Sequence, residues 1–179
     1  MRHYPDMNHP ERNHSTRNLA LAERAHQRAS GGGGGLGDIA IYILMRSCND
    51  MMSERLGALV APHDLTALGY VTMMALCSRP ENLANPSELS EATGETRGNM
   101  TRICDELVDK GWMRRVPNVA DRRRVDLSLT DAGMALLNEV VPQLRRNADD
   151  FYRRTFTKAE KASLLQLLTQ FSEALASEL

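Results

Sequence analysis

Residues 94–130 read GETRGNMTRICDELVDKGWMRRVPNVADRRRVDLSLT, and this stretch decides the fold. Thr96 suits a helix N-cap, because its hydroxyl can accept from a free N–H of the first turn. Met100, Ile103, Cys104 and Leu107 recur at i, i+3, i+4 and i+7, the spacing of one buried helical face. Arg97, Gly98, Thr101 and Arg102 fall on the opposite side, with Asn99 at its edge. Arg can fork onto guanine O6/N7, Asn onto adenine N6/N7, and Thr can meet a thymine methyl. Gly98 lets backbone or phosphate come close. Taken alone, such a face is also what an ordinary solvated helix presents, so its neighbours must decide.

Both neighbours point the same way. Upstream, Asn85 suits a cap, Pro86 the first helical position, and Gly94 the stop of a short helix that begins at Pro86-Ser87. Two helices joined by a tight Gly turn form a helix-turn-helix. Downstream, Val125, Leu127 and Leu129 alternate with Asp126 and Ser128, the pattern of a half-buried strand, and residues 112–116 supply its partner. The tip between them carries Asp121, Arg122, Arg123 and Arg124. Adjacent arginines repel unless something anionic answers them, and a narrow minor groove attracts inserted Arg. Asp121 is placed to orient one of them, Arg123 being the best candidate. The expected fold class is therefore mainly α with a small β-hairpin wing: a winged helix-turn-helix whose helix enters the major groove.

Asp121-Arg122-Arg123, followed by residues 125–133 (VDLSLTDAG), resembles the D-x-R, strand, L-T-x-x-G wing signature of the MarR family of bacterial transcriptional regulators. Residues 86–90 (PSELS), 97–103 (RGNMTRI) and 105–112 (DELVDKGW) are similar to the EmrR/MprA branch, which represses multidrug efflux genes. The likeness spans roughly residues 36–179. It implies a homodimer that presents two reading helices to the half-sites of a pseudo-palindromic double-stranded DNA operator. On that reading the DNA-binding set is Ser87, Thr96, Arg97, Gly98, Asn99, Thr101, Arg102, Asp121, Arg122, Arg123 and Arg124.

The totals are less informative than the local pattern. The chain carries 22 Lys+Arg against 23 Asp+Glu, a formal net charge of −1. Between Arg97 and Arg124, however, eight basic residues face four acidic ones, and Arg outnumbers Lys. That preference suits bidentate contact with phosphates and base edges. Three cysteines, Cys48, Cys77 and Cys104, form no CxxC pair. The polar, His-rich N-terminus does not resemble a secretory leader, and no apolar run reaches membrane-spanning length. A cytoplasmic protein with reduced thiols and no membrane partner is expected. No catalytic constellation, phosphate-cradling glycine loop or metal-ligand cluster is visible, so no enzyme activity, cofactor or metal is expected.

Four segments follow. Residues 1–35 read as a flexible tail ending in the five-glycine run Gly31–Gly35, with a short helix possible over Leu19–Ala29. Residues 36–62 form a long dimerisation helix, with Leu36, Ile39, Ala40, Ile43, Leu44, Ser47, Cys48, Met51 and Met52 on one stripe. Residues 63–130 form the winged unit. There, Leu68, Val71 and Ala75 make one face of a central helix, and Tyr70, Met73, Met74 and Cys77 the other. Residues 131–179 supply two further dimerisation helices. Pro142 is expected to kink the first, and Thr157–Glu160 is a capping box that starts the second.

MarR-like proteins bind small phenolic or aromatic acids beside the winged unit. The resemblance therefore implies an aromatic or phenolic effector, for which Tyr42, Arg46, His63, Tyr70 and Met74 are the candidate ligand-binding residues. Arg46 can instead pair with Asp50, and the methionines can be plain core. Two other readings remain. In some MarR-like repressors a reactive Cys sits near the start of the first dimer helix, but that position here falls near Tyr42, ahead of Cys48. A sequence-blind architectural winged helix is the other.

Overall fold

The computed structural model describes residues 14–29, 39–118 and 125–178. Two compact units divide the chain, Met1–Ala58 and Leu59–Leu179. The first contains α1 (His14–Ala29) and nearly all of α2 (Ile39–Val60). Helix α1 begins five residues before the expected Leu19, so part of the segment read as a flexible tail is helical. Asn18 Nδ2 donates to Ser47 Oγ at 3.1 Å, joining α1 to α2. The stripe expected on α2 is largely exposed, with Ile39, Leu44 and Met52 among its open residues and only Ser47 buried between Ile39 and Ala58.

The second unit is the winged helix-turn-helix. Its elements are α3 (Ala67–Cys77), β1 (Leu83–Ala84), α4 (Pro86–Thr93), α5 (Arg97–Asp109), β2 (Met113–Pro117), β3 (Val125–Leu129), α6 (Asp131–Thr155) and α7 (Lys158–Glu178). The expected two-stranded hairpin is part of a three-stranded antiparallel sheet in the order β1-β3-β2. Strand β1 pairs Leu83 with Ser128 and Ala84 with Leu127. Two residues are too few for a period-2 pattern to show in the sequence. Strand β2 starts one residue later than read, at Met113, which opposes Leu129.

Helix α3 corrects a second expectation. Its buried residues are Gly69, Thr72, Met73 and Leu76. That single face cuts across the two read from the sequence, and Val71 stays 38% exposed. Gly69 and Thr72 carry little apolar signal, so hydropathy alone misassigns the face. The rest of the core comprises Leu89 from α4, Met100, Ile103 and Leu107 from α5, Met113, Leu127 and Leu129 from the sheet, and Leu137 and Val140 from α6. The alternation read for β3 holds only in part, with Val125 47% exposed and Ser128 buried beside Leu127 and Leu129.

Two glycines explain the chain direction around the sheet. Gly111 ends α5 with φ +73°, a left-handed conformation that penalises a Cβ. Gly133 sits where α6 leaves the sheet, and a Cβ there would lie 2.1 Å from the Trp112 carbonyl oxygen. Thr130 caps α6. Its hydroxyl accepts from Gly133 N at 3.0 Å and donates to Gly111 O at 2.6 Å, while its own N–H donates to Trp112 O at 3.0 Å. These bonds give the L-T-x-x-G run a physical role, joining the end of one helix to the start of another. The α6 helix then runs through Pro142 without interruption.

Candidate nucleic-acid interface

The reading helix is set by its caps and its core face. Asn85 and Glu88 form a full capping box at the start of α4, and Gly94, with φ +72°, ends that helix. The turn into α5 is tied by Glu95 N to Ser90 O at 3.1 Å and Ser90 Oγ to Glu95 O at 2.6 Å. Thr96 then caps α5, its hydroxyl accepting from Asn99 N at 3.3 Å. Met100, Ile103, Cys104 and Leu107 are all buried, as their spacing requires. Arg97, Gly98, Thr101 and Arg102 are exposed on the other side, Asn99 and Ser87 are half-buried, and Thr96 is exposed. The structure thus brings the helical members of the expected DNA-binding set onto α5 and the α4 start.

The polar face carries an ordered relay. Asn99 Nδ2 donates to Glu95 Oε2 at 2.8 Å, and Arg102 Nη2 donates to Asn99 Oδ1 at 3.1 Å. Arg102 Nη1 lies 3.6 Å from Glu106 Oε2, and Glu106 Oε1 lies 3.1 Å from Lys110 Nζ. Lys110 ends the run by donating to the Asp64 carbonyl at 2.6 Å, with the Asp64 carboxylate at 3.3 Å and the Trp112 ring centroid at 5.1 Å. Desolvation alone would lower the Lys110 pKa, but its hydrogen bonds to Glu106 and Asp64 raise it overall. Glu95 and Glu106 were absent from the candidate set. Their spacing from Asn99 and Arg102, four residues in each case, is the signal that reveals them.

At the sheet, Arg115 of β2 pairs with Asp105 of α5, fastening hairpin to helix. Arg114 and Arg115 are both exposed. Asn118 Nδ2 donates to Asp126 Oδ2 at 2.7 Å across the hairpin arms. Asp121, Arg122, Arg123 and Arg124 lie outside the described residues. Trp112 is half-buried, with Lys110 Nζ over its ring.

The candidate ligand residues separate. Tyr42 and Arg46 line a cleft of about 270 Å³ between α1 and α2, together with Asn18, Leu21 and Asp50. Tyr42 is 65% exposed. His63 Nδ1 lies 3.8 Å from Glu139 Oε1. Tyr70 and Met74 are half-buried one turn apart on α3, and burial raises the Tyr70 pKa. Cys104 is buried, and desolvation, then Asp105, pushes its thiol up to about 11, against a lowering by Arg115. That basic neighbour is not apparent from the sequence, where Arg115 stands eleven residues away. Among the described residues no group of His, Cys, Asp and Glu could hold a metal ion, and no helix is long and apolar enough to cross a membrane.

Comparison with known proteins agrees with this geometry. The MarR family model matches residues 69–125, from α3 to the start of β3. The chain is 36% identical over 103 residues to the transcriptional repressor MprA of Escherichia coli K12, covering 56% of this chain and 58% of MprA, so this match spans little more than half of that relative. It is 31% identical over 126 residues to the multiple antibiotic resistance protein MarR of the same organism, covering 70% of this chain and 85% of MarR. A cysteine-to-serine variant of E. coli MarR, solved in complex with operator DNA, superposes with a TM-score of 0.67 at 27% identity, covering 77% of this chain and 99% of that one. Sequence, topology and reading-helix geometry converge: the chain belongs to the MarR family of winged-helix regulators.

Proposed function

We propose that this chain is a sequence-specific transcriptional regulator that binds double-stranded operator DNA as a homodimer, acts as a repressor and is released by a small aromatic or phenolic acid. The observation that carries the DNA reading is α5 itself. One face is wholly core, and the other displays Arg97, Thr101 and Arg102 beside a hairpin arm bearing Arg114 and Arg115. Base edges in the major groove are read by such side chains, and phosphates position the protein. The complex of a MarR relative with operator DNA supports the same reading.

Helix α7 supports the homodimer. It has no buried residue, and Leu164, Leu165, Leu167, Leu168, Phe171 and Leu175 are all exposed in the single chain. Burying one Leu or Phe fully is worth ~1.5–3 kcal/mol, so a second copy gains substantially by covering this row. Two-fold symmetry then sets half-sites about 34–36 Å apart, or a multiple of it. The cleft at Tyr42 and Arg46 supports the effector assignment. Two of the candidate ligand residues meet in this open groove, where the Arg46 guanidinium suits an acid. The likeness to MprA and to MarR supports control of efflux genes as the physiological output.

Selection of bound sequences from random duplex DNA tests the reading, followed by a release screen with single-ring phenolic acids. A pseudo-palindromic consensus is expected. Sequence-blind retention would mark an architectural protein, and absence of duplex binding would end the proposal. For the wing, Arg123→Ala is expected to lower operator affinity in a gel-shift titration while the dimer persists. Unchanged affinity would remove the wing tip from the interface.

A further inference from the structure

The relay on α5 gives Asn99 a role different from the one its residue type suggests. A carboxylate can only accept hydrogen bonds, and a guanidinium can only donate them. Glu95 on one side and Arg102 on the other therefore fix the Asn99 amide in one orientation: Nδ2 toward Glu95 at 2.8 Å and Oδ1 toward Arg102 at 3.1 Å. An adenine reader needs both ends of that amide at the base edge. Here both ends are engaged along the helix, one turn back and one turn forward, and Asn99 is half-buried while the Arg102 side chain is 65% exposed. Glu106 steadies the second guanidinium nitrogen from the following turn at 3.6 Å. Asn99 engages only one N–H of Nη2, so Arg102 keeps the donors it needs for a guanine fork.

We infer that Asn99 is the positioning residue for Arg102, with Glu95 setting its amide, and that the pair reads one guanine rather than an adenine and a guanine. The inference rests on the DNA-binding reading above. Holding a long side chain in advance reduces the ordering cost of contact, so the relay converts a flexible arginine into a directed one.

The test is base preference at each operator position, measured by competition gel shift with the full chain and its variants. Arg102→Ala is expected to lose preference at one G·C pair by roughly five- to hundredfold. Asn99→Ala should weaken preference at that same pair, and the double variant should be no worse there than Arg102→Ala. Asn99→Asp combined with Glu95→Gln, which faces the new carboxylate with a donor, should retain the guanine preference, since Asp still accepts from Arg102 but cannot donate to adenine N7. Loss of an adenine preference at a different position in Asn99→Ala or Asn99→Asp would overturn the inference while leaving the regulator reading intact. Sequence-blind binding by the unaltered chain would overturn both.

Discussion

Helices α5 and α7 both carry large apolar residues at helical spacing, yet they end in opposite states. Every core-facing residue of α5 is buried by its own chain, whereas α7 buries none. The periodicity that predicts a helix does not say whose surface will cover it. For α5 the cover is supplied by α3, α4 and the sheet, all close in sequence. For α7 no residue is buried among the described residues, and a partner copy is the proposed cover.

That contrast can be broken most forcefully by truncating one leucine on each helix. Leu107→Ala should cost ~2–5 kcal/mol, because a buried Leu leaves a cavity as well as lost transfer energy, and chemical denaturation should show it at every protein concentration. Leu168→Ala should instead shift the concentration dependence of assembly in sedimentation or scattering. A loss for Leu168→Ala that ignores concentration would place α7 within its own chain. Next in size is Gly133→Ala. Backbone at 2.1 Å cannot yield as a side chain can, and overpacking typically costs ~1–3 kcal/mol. A thermal midpoint unchanged from the parent would refute the close approach to Trp112.

Cys104 sharpens the α5 side through pH. Its folded pKa lies above the ordinary 9.0, at about 11, because of burial first. For a raised acid, the associated stability is present in full below pH 9.0 and is lost as pH rises toward about 11. Alkylation of Cys104 at neutral pH should therefore track global unfolding, and rapid labelling of the native protein would revive a redox role for this thiol. The smallest effect belongs to α7. Thr157 N–H and Oγ1 both donate to Glu160 Oε2 at 2.8 Å, and these bonds hold the Glu160 carboxyl below its usual range. For a lowered acid, the stabilisation is lost as pH falls through the depressed folded value. Glu160→Gln should loosen only the first turn of α7, read as faster amide exchange there with little change in the global transition. Protection left unchanged would mean that the capping box contributes nothing in solution.

Local chemistry was the legible part of the sequence. Caps at Asn85, Thr96 and Thr157 are read from residue type, because each is a contact within a few positions along the chain. The α5 core face is read from a spacing that hydropathy marks clearly. The α3 face was hidden because Gly69 and Thr72 occupy it, residues chosen for closeness and not for apolarity. Strand β1 was hidden by its two-residue length. In the interface, the arginines announced themselves by charge, whereas Glu95 and Glu106 read as ordinary acids until their partners were placed. Arg115 joining Asp105 depends on the hairpin folding back, which no linear spacing reports.

The doubly engaged hydroxyl of Thr130 has one further consequence. A single oxygen binds the Gly111 carbonyl just past the end of α5 and caps the first turn of the long helix α6. With Gly133 pressed against the Trp112 carbonyl, the end of α5 and the start of α6 are tied both by a side-chain oxygen and by a close backbone approach.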